Sequence, residues 1–261
     1  VLLEDVLLAR REIDEGDVAR ALVDDPEPAG AGPRYELGER LGEGATAVVY
    51  RARDRKLGRF VALKVFKSTA GPGFDGDPAV HEGAALARLR HANLVTVLDA
   101  GVMDGHAFLA TEWVDGVTFD ELLATRRRSL RELVALLAAA ADGLAEAHRH
   151  GVVHRDVKPQ NVLVDELDRP KVCDFGFALA SQVQRAERRA RPHAGTPRFM
   201  APEQWRGEID AIGPPADVHG LGAMLYQLLV GAPPFSGVDG AELERAVLDG
   251  DPVEPQRILR V

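Results

Sequence analysis

The succession of two hydrophobic periodicities constrains this chain more than any other feature. From Tyr35 to about Val114 apolar and polar residues alternate, as in "FVALKVFK" and "LVTVLDAGVMDGHAFLATEWV", interrupted only by the loop "GPGFDGDPA" and the helical-period stretch "VHEGAALARLRH". A period of two marks half-buried strands. After Gly116 the spacing turns helical. Leu130, Leu133, Val134, Leu137, Ala141, Leu144 and His148 fall on one face of a helix that opens on the capping box Ser129/Glu132 and stops before Gly151. A second helix, from Pro214-Pro215 to Val230, is apolar nearly all round and is expected to be the buried axle of a helical lobe. Strands first and helices second, with no internal repeat, predict an α+β fold. The strand-rich lobe is expected over about 35–113 and the helical lobe over about 114–261.

Before the strands, Leu3, Val6, Leu7, Ile13, Val18 and Leu22 recur at helical spacing, and Gly16 divides them into two short helices. Asp24 to Pro33, "DDPEPAGAGP", reads as a linker. Residues 1–34 are thus expected to form a helical extension whose apolar faces dock on the strand lobe or on a partner. The chain begins with Val rather than Met, as a trimmed fragment would.

With 261 residues, 46% of them apolar, the chain can bury a core without disulfides. Its one cysteine, Cys173, has no internal partner, which fits a reducing, cytoplasmic compartment. A net charge of -9 argues against general nucleic-acid binding, with Arg126-Arg127-Arg128 and Arg185 to Arg191 as local exceptions. No run of 18 uncharged apolar residues suggests a membrane span, and the acidic start is unlike a signal peptide.

The densest chemistry lies in "HRDVKPQNVLV", His154 to Val164. Asp156 and Asn161 are five residues apart, and Asp174 follows Asp156 by 18. Such oxygens suit Mg²⁺, which takes a few carboxylate or amide ligands together with phosphate and water. Lys158 adds a cation beside them. Gly42 and Gly44, in "LGEGATAVVY", would let backbone amides approach phosphate oxygens, although a plain glycine hairpin explains them equally well. Lys64 sits in a strand, with Glu82 18 residues on in a helical stretch. An inward lysine needs an anion; taken alone, Lys64 is as readily a surface residue.

The ordered set "GEGATAVV", "VALK", Glu82, "HRDVKPQN", "DFG", "GTPRFMAPE" and "DVHGLG" resembles the eukaryotic-type (Hanks-type) Ser/Thr protein kinases, from Tyr35 to the C-terminus. The resemblance implies the two-lobed kinase fold and transfer of the γ-phosphoryl group of ATP to Ser/Thr hydroxyls of protein substrates. It implies that Asp156 orients the hydroxyl and takes its proton while Lys158 stabilises the transferring group. Asn161 and Asp174 would hold Mg²⁺, with Mn²⁺ as an alternative, and Lys64, fixed by Glu82, would hold the α- and β-phosphates. Leu41, Gly42 and Gly44 would line the nucleotide, and Val49, Ala62 and Leu163 would sandwich adenine. Glu112 and Val114 would offer backbone hydrogen bonds beside a small gatekeeper, Thr111. Leu86, His154 and Phe175 would belong to a hydrophobic spine. A high Ala, Arg and Gly content suggests a bacterial source.

Five departures stand out. Ala47 replaces the third loop glycine, His219 stands where an aromatic residue is usual, and Gly220 stands where serine is. Between Phe177 and Gly195 the only hydroxyl is Ser181, so activity is expected not to require phosphorylation in mid-segment. After "AELERAVLDGDPVEPQRILRV" the family expects further helices, so the helical lobe is expected to be short at its C-terminus.

Overall fold

Alternation over residues 47–66 builds a sheet with two chemically different faces. In the computed structural model, which describes residues 34–44, 47–69, 86–103, 106–125, 127–175, 197–208, 211–236, 238, 240–250 and 252, five strands form this sheet. They are β1 (Tyr35–Glu43), β2 (Ala47–Asp54), β3 (Arg59–Thr69), β4 (Val97–Met103) and β5 (His106–Glu112). Their order is β1-β2-β3-β5-β4, with antiparallel neighbours throughout. Register sets Val48 opposite Val65, Tyr50 opposite Leu63 and Ala52 opposite Val61. These six residues join Tyr35 and Ala110 in one buried cluster. Directly opposed residues share a face. The other face therefore carries Val49 opposite Lys64, and Ala62 between Arg51 and Thr111. The helices expected over residues 1–24, Glu82 and the stretch from Phe177 to Gly195 lie outside the described residues.

Arg34 fastens the start of β1. Its guanidinium donates to Asp99 and, at 3.3 Å, to Asp54, while the Tyr35 hydroxyl donates to Asp99 at 2.8 Å. Burial acts to raise the Asp54 carboxyl, but hydrogen bonds from Arg34 and from the Leu57 and Lys56 amides outweigh it and hold the group below its ordinary value. A depressed folded value means that this stabilisation is fully present above the unfolded Asp value of about 3.9. It is lost as pH falls through the folded value. Arg34→Ala should move the acid unfolding of the sheet to higher pH, read as amide exchange in β2 and β3. An unchanged acid limb would show that Asp54 does not depend on Arg34.

The chain divides into two compact units, Val1–Ala84 with Val97–Trp113, and Ala85–Thr96 with Val114–Val261. Residues 85–96, which the sequence groups with the strands, fall in the second unit for a specific reason. Val95 N donates to Val172 O and Val172 N to Asn93 O, both at 2.9 Å, and Asn93 Nδ2 donates to Pro170 O at 2.8 Å. In this unit β6 (Gly116–Thr118), β7 (Val162–Asp165) and β8 (Pro170–Val172) form a small antiparallel sheet. Gly116 is needed there, since a Cβ would stand 2.2 Å from Val164 O.

Helix α1 (Phe119–Thr125) leads to α2 (Leu130–Arg149), whose capping box is complete: Glu132 N donates to Ser129 Oγ and Ser129 N to Glu132 Oε2. The buried face of α2 differs from the expected stripe. Leu133, Leu136, Leu137, Ala140, Gly143, Leu144 and Ala147 are buried, whereas Leu130 and Val134 are 49% and 38% exposed. Small residues decide this rotation: without a Cβ at Gly143, α2 lies close against residues 93 and 94. In Gly143→Ala the new Cβ would sit 2.8 Å from Asn93 O. Alanine gains about 1 kcal/mol of helix propensity, but overpacking against backbone costs about 1–3 kcal/mol. The variant should be net destabilised, seen as a lower urea midpoint at unchanged slope; a raised midpoint would refute the close contact.

Short α3 (Pro202–Trp205) precedes α4 (Pro214–Val230), which packs against α2 and ends at Gly231 in the left-handed conformation, φ 87°. The axle expected here is buried on one face only. Ala216, Asp217, Gly220, Ala223 and Met224 point inward, but Val218 is 61% exposed. Helix α5 (Gly240–Asp249) closes a smaller cluster of Trp205, Phe235, Leu243 and Val247. No helix among the described residues is long and apolar enough to cross a membrane.

Candidate active site

The polar loop from His154 to Asn161 runs between α2 and β7 and is suspended from one buried acid. Asp217, near the start of α4, is fully buried. Its carboxylate accepts from His154 N at 2.8 Å, Arg155 N at 2.7 Å and His148 Nε2 at 2.7 Å. Arg155 takes φ 66°, a left-handed conformation that costs an ordinary residue about 1–3 kcal/mol. The bond from its amide to Asp217 holds it there, and Gln204 Nε2 donates to its carbonyl at 2.7 Å.

His154 is fully buried and acts as a second brace. Its Nε2 bonds the Cys173 carbonyl at 2.9 Å, and a carbonyl only accepts, so the ring hydrogen is on Nε2. The lone pair on Nδ1 then accepts the Asp156 amide at 3.2 Å. The His154 ring also packs on Phe175, with centroids 4.7 Å apart.

These braces gather three sequence-predicted residues. Asp156 Oδ2 accepts from Lys158 Nζ at 2.7 Å and from Asn161 Nδ2 at 3.0 Å, and Asn161 Nδ2 also reaches Asp156 O at 2.8 Å. Asn161 is buried in a 3-10 turn, Pro159–Asn161, so its amide is held in place. With its nitrogen turned to Asp156, its oxygen remains the atom able to accept or ligate. Cys173 N donates to Asn161 O at 2.9 Å and so places Asp174 one residue beyond that contact. Asp174 is exposed and left-handed, φ 59°. Among the described residues no group of three His, Cys, Asp or Glu side chains is arranged for a metal. The Asn161 and Asp174 oxygens nevertheless fit Mg²⁺, which keeps several waters and shares substrate phosphates rather than requiring an all-protein cage.

Leu163 lies on β7 opposite Lys171 and Thr118, and Val114 precedes β6. Within the first unit, Lys64 and Val49 are cross-strand neighbours, and Thr111 Oγ1 donates to Ala62 O at 3.4 Å. Glu112 ends β5 opposite Val61. Leu41 is 42% exposed and Gly42 is paired with Val49. Gly44 N donates to Ala47 O at 2.8 Å.

Sequence reasoning did not assign Asp217, Gln204 or His148 a part in holding the loop. The available signal was an acid embedded in an otherwise apolar helix, a placement that requires partners. Two residues on from Asp217, burial pushes the His219 imidazole below its ordinary value, and the Glu203 carboxylate opposes this.

A loop that holds an aspartate between a lysine and an asparagine, with a second aspartate two residues beyond β8, matches the phosphotransfer class of site. Residues 35–257 match the family described as Protein kinase domain, and the chain belongs to it. It is 36% identical over 236 residues to serine/threonine-protein kinase PknB of Mycolicibacterium smegmatis, covering 86% of this chain and 37% of that protein. It is 41% identical over 209 residues to the DNA damage-responsive serine/threonine-protein kinase RqkA of Deinococcus radiodurans, covering 78% and 31%. Among solved structures it resembles Rad53 residues 1–466 in complex with AMP-PNP, with TM-score 0.69 and 25% identity over 88% of this chain and 57% of that one. The chain thus spans about a third of the length of these curated relatives.

Proposed function

We propose that this chain transfers the γ-phosphoryl group of ATP to Ser and Thr hydroxyls of protein substrates. The observation that carries the reading is Asp156 Oδ2 held at once by Lys158 Nζ and Asn161 Nδ2. Those two donors stabilise the carboxylate, orient it and leave its other oxygen to accept the hydroxyl proton of a substrate. As the new O–P bond forms and the bond to the β-phosphate oxygen breaks, ADP leaves and Lys158 offsets negative charge on the moving group. Lys64 binds the α- and β-phosphates with Glu82 as its counter-ion. Asn161 and Asp174 would hold Mg²⁺, which would supply neutralisation of charge on the phosphate oxygens.

The glycines support the same reading. Among the described residues a Cβ at Gly42 would meet nothing within 4 Å, and at Gly44 only Ala47 O at 3.8 Å, so their packing does not demand glycine at either place. A ligand lying against the backbone does. By resemblance to the kinase family, Leu41, Val49, Ala62 and Leu163 would be the nucleotide-contacting residues, Glu112 and Val114 would offer backbone hydrogen bonds to adenine, and Thr111 would be the small gatekeeper. The domain works in the cytoplasm, where ATP is available, and its partners are proteins rather than nucleic acid.

Phosphoamino-acid analysis of a generic protein acceptor after incubation with Mg·ATP tests the assignment. Phosphoserine and phosphothreonine are expected. Phosphotyrosine alone, or phosphate only on a small molecule, would overturn it.

A further inference from the structure

The turn between β2 and β3 carries a surface at odds with the chain's net charge. In a molecule of net charge -9, residues 51–60 read "RARDRKLGRF" and hold five cations. Their one acid, Asp54, is buried and bonded to Arg34. Arg53, Arg55, Lys56 and Arg59 are exposed, and between them Leu57 and Phe60 are 57% and 49% exposed. The Arg51 guanidinium stacks 4.1 Å from the Phe60 ring centre and 5.1 Å from that of Trp113, making Phe60 part of a braced platform. The turn is therefore apolar at its centre, cationic around it, and fixed in shape.

Residues 1–33 have the complementary character. They contain nine carboxylates against three arginines, together with Leu2, Leu3, Leu7, Leu8 and Leu22. They also join the structure beside the turn, because Arg55 N donates to Arg34 O at 2.8 Å. The eight residues Pro26–Pro33 reach at most about 28 Å even fully extended. A tether this short keeps the acidic stretch at an effective concentration on the order of millimolar. Complementary charge, exposed leucine and phenylalanine, and a point of entry one hydrogen bond away all favour the same occupant.

We infer that residues 1–25 dock on the β2–β3 turn of their own chain, with acids on Arg53, Arg55, Lys56 and Arg59 and leucines on Leu57 and Phe60. This surface stands independently of the phosphotransfer reading. Zero-length carbodiimide coupling on the full 261-residue chain tests it, since residues 1–33 contain no lysine and their carboxylates couple to Lys56 only when close. Mixing ¹⁵N-labelled and unlabelled protein separates coupling within one chain from coupling between copies. Same-isotope links from Lys56 to acids among residues 4–27 are expected. Arg53→Glu with Arg55→Glu should lower their yield roughly tenfold, as attraction between exposed charges becomes repulsion. Adding Glu12→Arg and Asp14→Arg should restore it, with circular dichroism confirming that each variant folds. Absence of such links, links only between isotopically different copies, or a yield indifferent to charge reversal would overturn the proposal. Mixed-isotope links would assign the turn to a second copy instead.

Discussion

Asp156→Asn is expected to lower phosphate transfer about 10²–10⁴-fold, the range a positioned general base contributes, while leaving nucleotide affinity nearly unchanged. The substitution keeps the shape of the side chain and removes its charge and basicity. Lys158 Nζ and Asn161 Nδ2 now donate to the carboxylate at 2.7 and 3.0 Å. The asparagine oxygen can still accept from one of them, so the loop should stay in place. The proposed nucleotide contacts lie on other residues, and binding should survive. Rapid-quench transfer and equilibrium nucleotide titration on the same preparation separate the two effects. Equal losses of affinity and transfer would place Asp156 at the nucleotide rather than at the acceptor hydroxyl.

Asp217→Ala is expected to be the most destabilising single change in the second unit. It leaves the amides of His154 and Arg155 and the His148 ring nitrogen without their acceptor. An unsatisfied buried donor costs about 1–3 kcal/mol. Because water can enter the space left by the carboxylate, the costs do not simply add, and a total of about 3–5 kcal/mol is expected. That is a large share of the roughly 5–15 kcal/mol that separates folded from unfolded domains. Arg155 would also lose the bond that holds it at φ 66°. Asp217→Asn, which keeps one acceptor oxygen, should fall between wild type and Ala in both urea midpoint and turnover. If Asp217→Ala unfolds like wild type, the buried acid does not support the loop as described here.

Features written in short spacings were readable from the sequence. The alternation of Val61, Leu63 and Val65 predicts the core face of β3, and the buried cluster contains all three. Ser129 and Glu132 predict the start of α2, and the helix begins at Leu130. Asp156, Lys158 and Asn161 meet because a tight loop and a 3-10 turn give few alternatives to residues this close in the chain. What could not be read depends on contacts between distant positions. Asp217 lies 62 residues from Arg155, and Gln204 lies 49 from it. No local period encodes such a pairing. The face of α2 was misplaced for a related reason: hydrophobic spacing gives no weight to Gly143, whose missing side chain lets the helix approach Asn93. The solvent-facing side of α4 shows the same limit, since an all-round apolar helix does not reveal which of its sides finds a partner.

The most direct measurement is a single-turnover assay of the 261-residue chain with γ-labelled Mg·ATP and a generic protein acceptor, run beside Lys64→Met and paired with nucleotide titration. The account predicts label on the acceptor with wild type and none above background with Lys64→Met, both proteins having the same circular dichroism spectrum. Nucleotide binding by wild type without transfer of label, or equal transfer by the two proteins, would contradict it.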